Sequence, residues 1–182
     1  MRKLMALMLV GAISLSFAAC GDSEDSSTNP TPQDPIVGTW LAEGTTTVGG
    51  VPVPNVSPLL FGSPFNIRRI RATFNANGTY TVTTTDSAGT NATLTGTWTT
   101  SAADTAGITI RNITVNQTSP STVTSRGIYQ VTTSGSVTTM LYEIAQTEPP
   151  LQGVTPPTPR GGFGSTSGGA FGIANIQRYT KQ

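Results

Sequence analysis

From Ile36 to the C-terminus, apolar and polar residues alternate in short runs separated by Gly, Asn, Ser and Pro. Alternation with a period of two sends one row of side chains to a buried face and the next into water, the pattern of a β-strand. No segment repeats apolar residues at helical spacing for long enough to predict a helix. Turn residues between the runs mark about eight strands. The first covers residues 37–47. The second covers 68–75, with Ile70, Ala72 and Phe74 on one face and Arg69, Arg71 and Thr73 on the other. Asn75-Ala76-Asn77-Gly78 then predicts a tight hairpin turn. The third strand, 79–86, turns Tyr80 and Val82 inward; the fourth, 92–100, turns Leu94, Gly96 and Trp98 inward. Their other faces are columns of Thr, a wet β-branched surface.

The fifth predicted strand, 108–117, changes parity between Ile108 and Ile110 on one side and Ile113 and Val115 on the other, which predicts a bulge near Asn112. The sixth, 122–133, places Val123, Gly127, Tyr129 and Val131 on one face. Ser134-Gly135-Ser136 turns the chain into the seventh, 137–146, with Met140, Tyr142 and Ile144 together; the last covers 171–180. Sequential strands joined mostly by short turns favour an all-β, antiparallel up-and-down meander. Closure into a barrel of about eight strands removes the free edges. A barrel of that size is filled by side chains or encloses one small ligand.

The first 35 residues read differently. Arg2 and Lys3 precede an apolar stretch from Leu4 to Ala19, interrupted only by Gly11, Ser14 and Ser16. That stretch is short of the ~20 apolar residues of a spanning helix, and Ala18 and Ala19 end it, as in a cleaved export signal. Cys20 is the single cysteine of the chain, so an internal disulfide is impossible. "SFAACGDS" resembles the lipobox of bacterial lipoproteins, with Phe17 where an aliphatic residue is usual. The resemblance implies that Cys20 is acylated, with chains such as palmitate, and becomes the first mature residue; more than one chain makes a stable membrane anchor. The other reading is an ordinary signal peptide that leaves a free thiol. Gly21 after the cysteine implies, by the same resemblance, sorting to the outer membrane. Residues 21–35 hold no aliphatic or aromatic side chain apart from prolines, and such a segment has nothing to bury. The organisation expected is a signal at 1–19, a lipidated cysteine and tether at 20–35, and a barrel at 36–182. The acidic Asp22, Glu24 and Asp25 are read as a solvated tether or as a tract like those of surface-exposed lipoproteins.

Charge and composition narrow the chemistry. The chain has ten basic and nine acidic residues and no histidine. The one basic cluster, Arg68, Arg69 and Arg71, is too small for a nucleic-acid footprint. Without histidine the commonest general base and metal ligand are missing, and with one cysteine no zinc, haem or iron–sulfur ligand set is in view. The carboxylates of the barrel segment, Glu43, Asp86, Asp104, Glu143 and Glu148, are scattered singly. The expectation is a protein that is not an enzyme and that has no metal or other cofactor.

Gly38-Thr39-Trp40 opens the first strand, "FNANGTYTV" leads to "GTWTT", and "IQRY" lies near the end. These motifs together resemble the lipocalins and the lipocalin-like domains of bacterial lipoproteins. The resemblance implies that Trp40 plugs the closed end of the barrel beneath Arg178. It also implies that the loop after the first strand folds over the open mouth. That loop, 48–67, carries Leu59, Leu60, Phe61 and Phe65 among prolines. It is read as a lid, as a membrane- or partner-facing patch, or as a cap on the core. The second long loop, 148–170, is Pro- and Gly-rich and fits neither a phosphate-binding loop nor a hydrolase elbow. The function expected is a lipid-anchored envelope protein that binds a small apolar or amphipathic molecule. Candidate contacts are Phe74, Tyr80, Trp98, Tyr129, Met140 and Tyr142 inside and Phe61 and Phe65 in the lid. The alternative is a filled barrel that meets other envelope proteins through its loops.

Overall fold

The computed structural model describes residues 33–103 and 106–182. Eight strands close into an antiparallel barrel in the order β1-β10-β9-β8-β7-β6-β5-β4, and β2 and β3 form a separate two-stranded ribbon. The strands are β1 (Gly38–Glu43), β2 (Thr45–Val48), β3 (Val51–Pro54), β4 (Ile67–Phe74), β5 (Thr79–Asp86), β6 (Asn91–Ser101), β7 (Arg111–Ser119), β8 (Val123–Ser134), β9 (Val137–Glu148) and β10 (Gln177–Lys181). One short helix, α1 (Pro58–Phe61), lies between β3 and β4.

The interior follows the alternation. Phe74, Ala72 and Ile70 of β4, Tyr80 of β5, Trp98 of β6 and Ile113 and Val115 of β7 are buried. The hairpin at Asn75–Gly78 closes as its residues require: the Gly78 N–H donates to the Asn75 carbonyl (3.0 Å), and the Thr79 N–H donates to Asn77 Oδ1 (3.1 Å). Asp86 holds the next turn by accepting from the N–H groups of Ala88 and Thr90, each at 2.8 Å.

Three expectations are corrected. The first strand ends at Glu43; Gly44, with a φ of +67°, redirects the chain into the β2–β3 ribbon. Asn55 fastens that ribbon by donating to the Glu43 carbonyl (2.7 Å) and by accepting the Arg178 N–H (2.8 Å). No bulge lies at Asn112. β7 begins at Arg111, so Ile108 and Ile110 precede the strand and their parity is not that of Ile113. The register shifts fall instead between Ile67 and Arg69, Thr95 and Gly96, and Thr124 and Ser125. The last strand begins at Gln177, because Gly172–Asn175 forms a 3₁₀ turn. Residues Gln33–Gln182 form one compact unit.

The two ends differ. Ile36, Trp40, Phe74, Trp98, Ile113, Tyr129 and Met140 fill one end, which we call the floor. Two short links, at 75–78 and 135–136, also belong to the floor, and β6 ends and β7 begins there. Both long connections, β1 to β4 and β9 to β10, belong to the opposite end, the mouth. The β9–β10 connection returns along the outside, where Ile128, Glu143 and Ala145 are buried although they alternate away from the interior.

Candidate functional site

The site follows from how side-chain size is distributed along the inward rows. Large rings and Met140 occupy the floor layers. Toward the mouth the inward positions shrink to Val82, Thr84, Leu94, Gln117, Val123, Ser125 and Ile144, and these cannot meet across the barrel. They leave a cavity of about 150 Å³, lined also by Ile70, Val115, Gln177 and three phenols, Tyr80, Tyr142 and Tyr179. Leu60 of α1 reaches the same cavity from the mouth. Ser57 and Pro58 set α1 in place, proline being accepted in the first turn of a helix.

The phenols stand on Phe74. Its ring centroid lies 6.2 Å from that of Tyr80 and 6.3 Å from that of Tyr142, and Tyr142 meets Tyr179 edge-on at 6.1 Å. The Tyr179 hydroxyl donates to Gln177 Oε1. The hydroxyls of Tyr80 and Tyr142 have no hydrogen-bond partner among the described residues. Burial pushes all three phenols above their ordinary value, and the neighbouring phenols add to the effect at Tyr142. They are therefore neutral O–H donors around neutral pH.

Of the eight sequence candidates for ligand contact, Tyr80 and Tyr142 line this cavity. Phe74, Trp98, Tyr129 and Met140 are buried in the floor layers beneath it. Trp98 packs edge-on against Phe74 at 5.8 Å and donates to the Thr79 carbonyl at 3.1 Å. Neither Phe61 nor Phe65 lines the cavity. Phe61 lies beneath the Arg68 guanidinium, 4.0 Å from its ring centroid, and Phe65 is 57% exposed. The inward-reaching residue is Leu60.

Trp40 is fully buried and donates from Nε1 to the Ile36 carbonyl at 2.6 Å. The cation over it is Lys181, with Nζ 5.3 Å from the ring centroid, and not Arg178. Parity decides this: Lys181 pairs with Trp40 and shares its face, as Tyr179 does, whereas Arg178 borders an outer groove with Thr46, Val48 and Asn55.

Two carboxylates, the half-buried Asp34 and the fully buried Glu143, were not picked out by the sequence patterns. Asp34 accepts from the Ile36 N–H (3.0 Å), the Tyr129 hydroxyl (2.6 Å), the Thr100 hydroxyl (2.5 Å) and Arg111 Nη2 (3.2 Å). Burial alone would raise its pKa; the bonds from Thr100, Tyr129 and Ile36, with the Arg111 charge, outweigh it and hold the carboxyl below its ordinary value. Glu143 accepts from the Gly164 N–H (2.6 Å), the Thr166 N–H (3.1 Å) and the Thr166 hydroxyl (2.5 Å), all from the β9–β10 connection. Both acids are thus engaged in tying chain segments to the barrel. Among the described residues no three His, Cys, Asp or Glu side chains come together as a metal site. Cys20, the signal segment and the tether up to residue 32 lie outside the described residues, and so does Asp104. No family profile, curated protein or solved structure matches the chain.

Proposed function

We propose that this chain is a lipid-anchored lipoprotein of the bacterial cell envelope, in the outer membrane, whose barrel holds a small apolar or amphipathic molecule. The observation that carries the reading is the cavity above Phe74, whose walls are half aliphatic side chains and half phenols, hydroxyls and amides, over a floor of packed rings. Concave sites of that character are where small molecules bind. The lipobox-like segment around Cys20 supports the anchor, and Trp40 at the floor suits a lipocalin-like module. A non-catalytic interaction module is the second reading. It is favoured by Leu59, Phe65, Leu151 and Ile173, which are 40%, 57%, 49% and 57% exposed on the two long connections.

Native mass spectrometry of the exported chain tests the first reading. A co-purifying mass, released on denaturation and absent from a Leu94→Trp variant whose side chain fills the cavity, is the expected result. A bare protein mass that stays bare after exposure to envelope extract overturns it and favours the interaction module. Acylation is read in the same spectra. The added acyl mass is expected on the wild type and not on Cys20→Ala; an unmodified wild type overturns the anchor.

A further inference from the structure

The size, charge and free hydroxyls of the cavity restrict its occupant. Resting on the reading that the cavity is a ligand site, we propose that the ligand is a neutral molecule about the size of a single substituted ring, with one hydrogen-bond acceptor placed against the hydroxyls of Tyr142 and Tyr80.

Volume sets the first limit. A cavity of about 150 Å³ is the size that admits benzene in an engineered protein core, while drug-sized ligands take roughly 300–1,000 Å³. A long acyl chain belongs to the larger class. Charge sets the second limit. None of the residues lining the cavity is Asp, Glu, Lys or Arg. An ion brought there would lose its water and gain no partner, at a cost far above that of a neutral group. The hydroxyls set the third. Tyr80 and Tyr142 are 6% exposed each and supply O–H donors without partners among the described residues. Tyr179 is already bonded to Gln177, and Gln117 Nε2 is held by the Ser121 carbonyl at 2.9 Å. The group these two hydroxyls can pair with is an acceptor, such as a ketone, ester or ether oxygen, in surroundings that mix aliphatic side chains with Thr84, Ser125, Gln117 and Gln177. A purely hydrocarbon ligand would leave two phenols unsatisfied.

Binding of four probes to the purified exported chain tests this: acetophenone, its hydrocarbon isostere α-methylstyrene, benzoate and palmitate. Each is measured on the wild type and on Tyr142→Phe, with Tyr80→Phe as the second variant should the first lose its thermal transition. Acetophenone is expected to bind the wild type and to weaken about threefold to tenfold in the Phe variant. The isostere is expected to bind both proteins equally. Benzoate is expected to be at least tenfold weaker than acetophenone, and palmitate not to compete with it. Palmitate or benzoate binding more tightly than acetophenone overturns the ligand class and leaves the calyx standing. An acetophenone affinity unmoved by both Phe variants overturns the role of the phenols. No binding by any probe overturns the calyx and the ligand class together.

Discussion

At the floor, one carboxylate takes four donors from four parts of the chain, and Asp34 is therefore expected to matter far more than a segment of Asn, Pro, Thr and Gln suggests. Asp34→Ala leaves the Tyr129 and Thr100 hydroxyls and Arg111 Nη2 without their acceptor, although Arg111 Nε still donates to the Tyr129 oxygen, at a cost of about 1–3 kcal/mol. In a domain of this size that lowers the thermal midpoint by roughly 2–4 °C per kcal/mol. Because the folded carboxyl titrates below its ordinary value of 3.8, the unfolded chain binds the proton more readily. The stabilisation is complete above 3.8 and is lost as pH falls through the lower, folded value. The gap in midpoint between wild type and Asp34→Asn is thus expected to be widest near neutral pH and to close in acid; a gap that widens in acid contradicts the network. Trp40 as a plug was legible from its motif, but its cation was not. Arg178 and Lys181 are both basic and near the end, and only the β1–β10 register assigns Lys181 to the inner face. Lys181→Ala is expected to shift Trp40 fluorescence and to cost about 0.5–1 kcal/mol, with Arg178→Ala leaving that emission unchanged. The cavity was hidden for a related reason: aromatic side chains stand out in the inward rows, and it is the smaller Val82, Leu94 and Val123 that leave space.

Among elements, turn chemistry and alternation placed β4, β5, β6, β8 and β9 to within a residue or two, because Asn-Gly and Ser-Gly turns and Thr-faced strands act locally. What failed depended on distant partners. The β2–β3 ribbon exists because Asn55 bonds it to β1 and β10, and β10 starts late because the chain before it is occupied with Glu143 and Asn175 contacts. Glu143→Gln replaces one acceptor oxygen with an NH2 group, which cannot accept, so the bonds from either Gly164 or Thr166 are lost. Hydrogen exchange is expected to rise across 149–176 while β5 and β6 keep their protection; uniform exchange changes would contradict a local clamp. Close strand approach is another element-scale constraint. A Cβ at Gly127 would lie 2.0 Å from the Glu143 carbonyl oxygen and 2.6 Å from the Ile144 Cα. Gly127→Ala is therefore expected to prevent β8 and β9 from pairing and to abolish the cooperative melt. Gly62→Ala, where the nearest atom is 3.4 Å away, is expected to melt as the wild type does.

For the whole molecule the closure is narrow at one seam. β1 meets β10 through Trp40 with Lys181 and Leu41 with Thr180, and the Gln182 N–H donates to the Thr39 carbonyl at 2.9 Å. β1 meets β4 through six residue pairs, so that side of the strand is secure. Removing residues 180–182 opens the seam and bares strand edges that had none. Self-association in light scattering is the expected result, and a monomer with an unchanged melt contradicts it. A meander of about eight strands was legible because each hairpin is local; that its first and last strands would meet followed only from the need to hide edges. The same seam fixes where the first and last residues of the barrel unit lie. Gln33 and Gln182 both leave from the floor, far from the mouth in every strand's register. A fluorophore or partner domain joined after Gln182 would stay clear of the mouth. A short linker from Gln182 to Gln33 would yield a circular permutant whose new ends, cut between Ser87 and Thr90, open beside the cavity, so that an enzyme or sensor could be attached at either pole of one barrel.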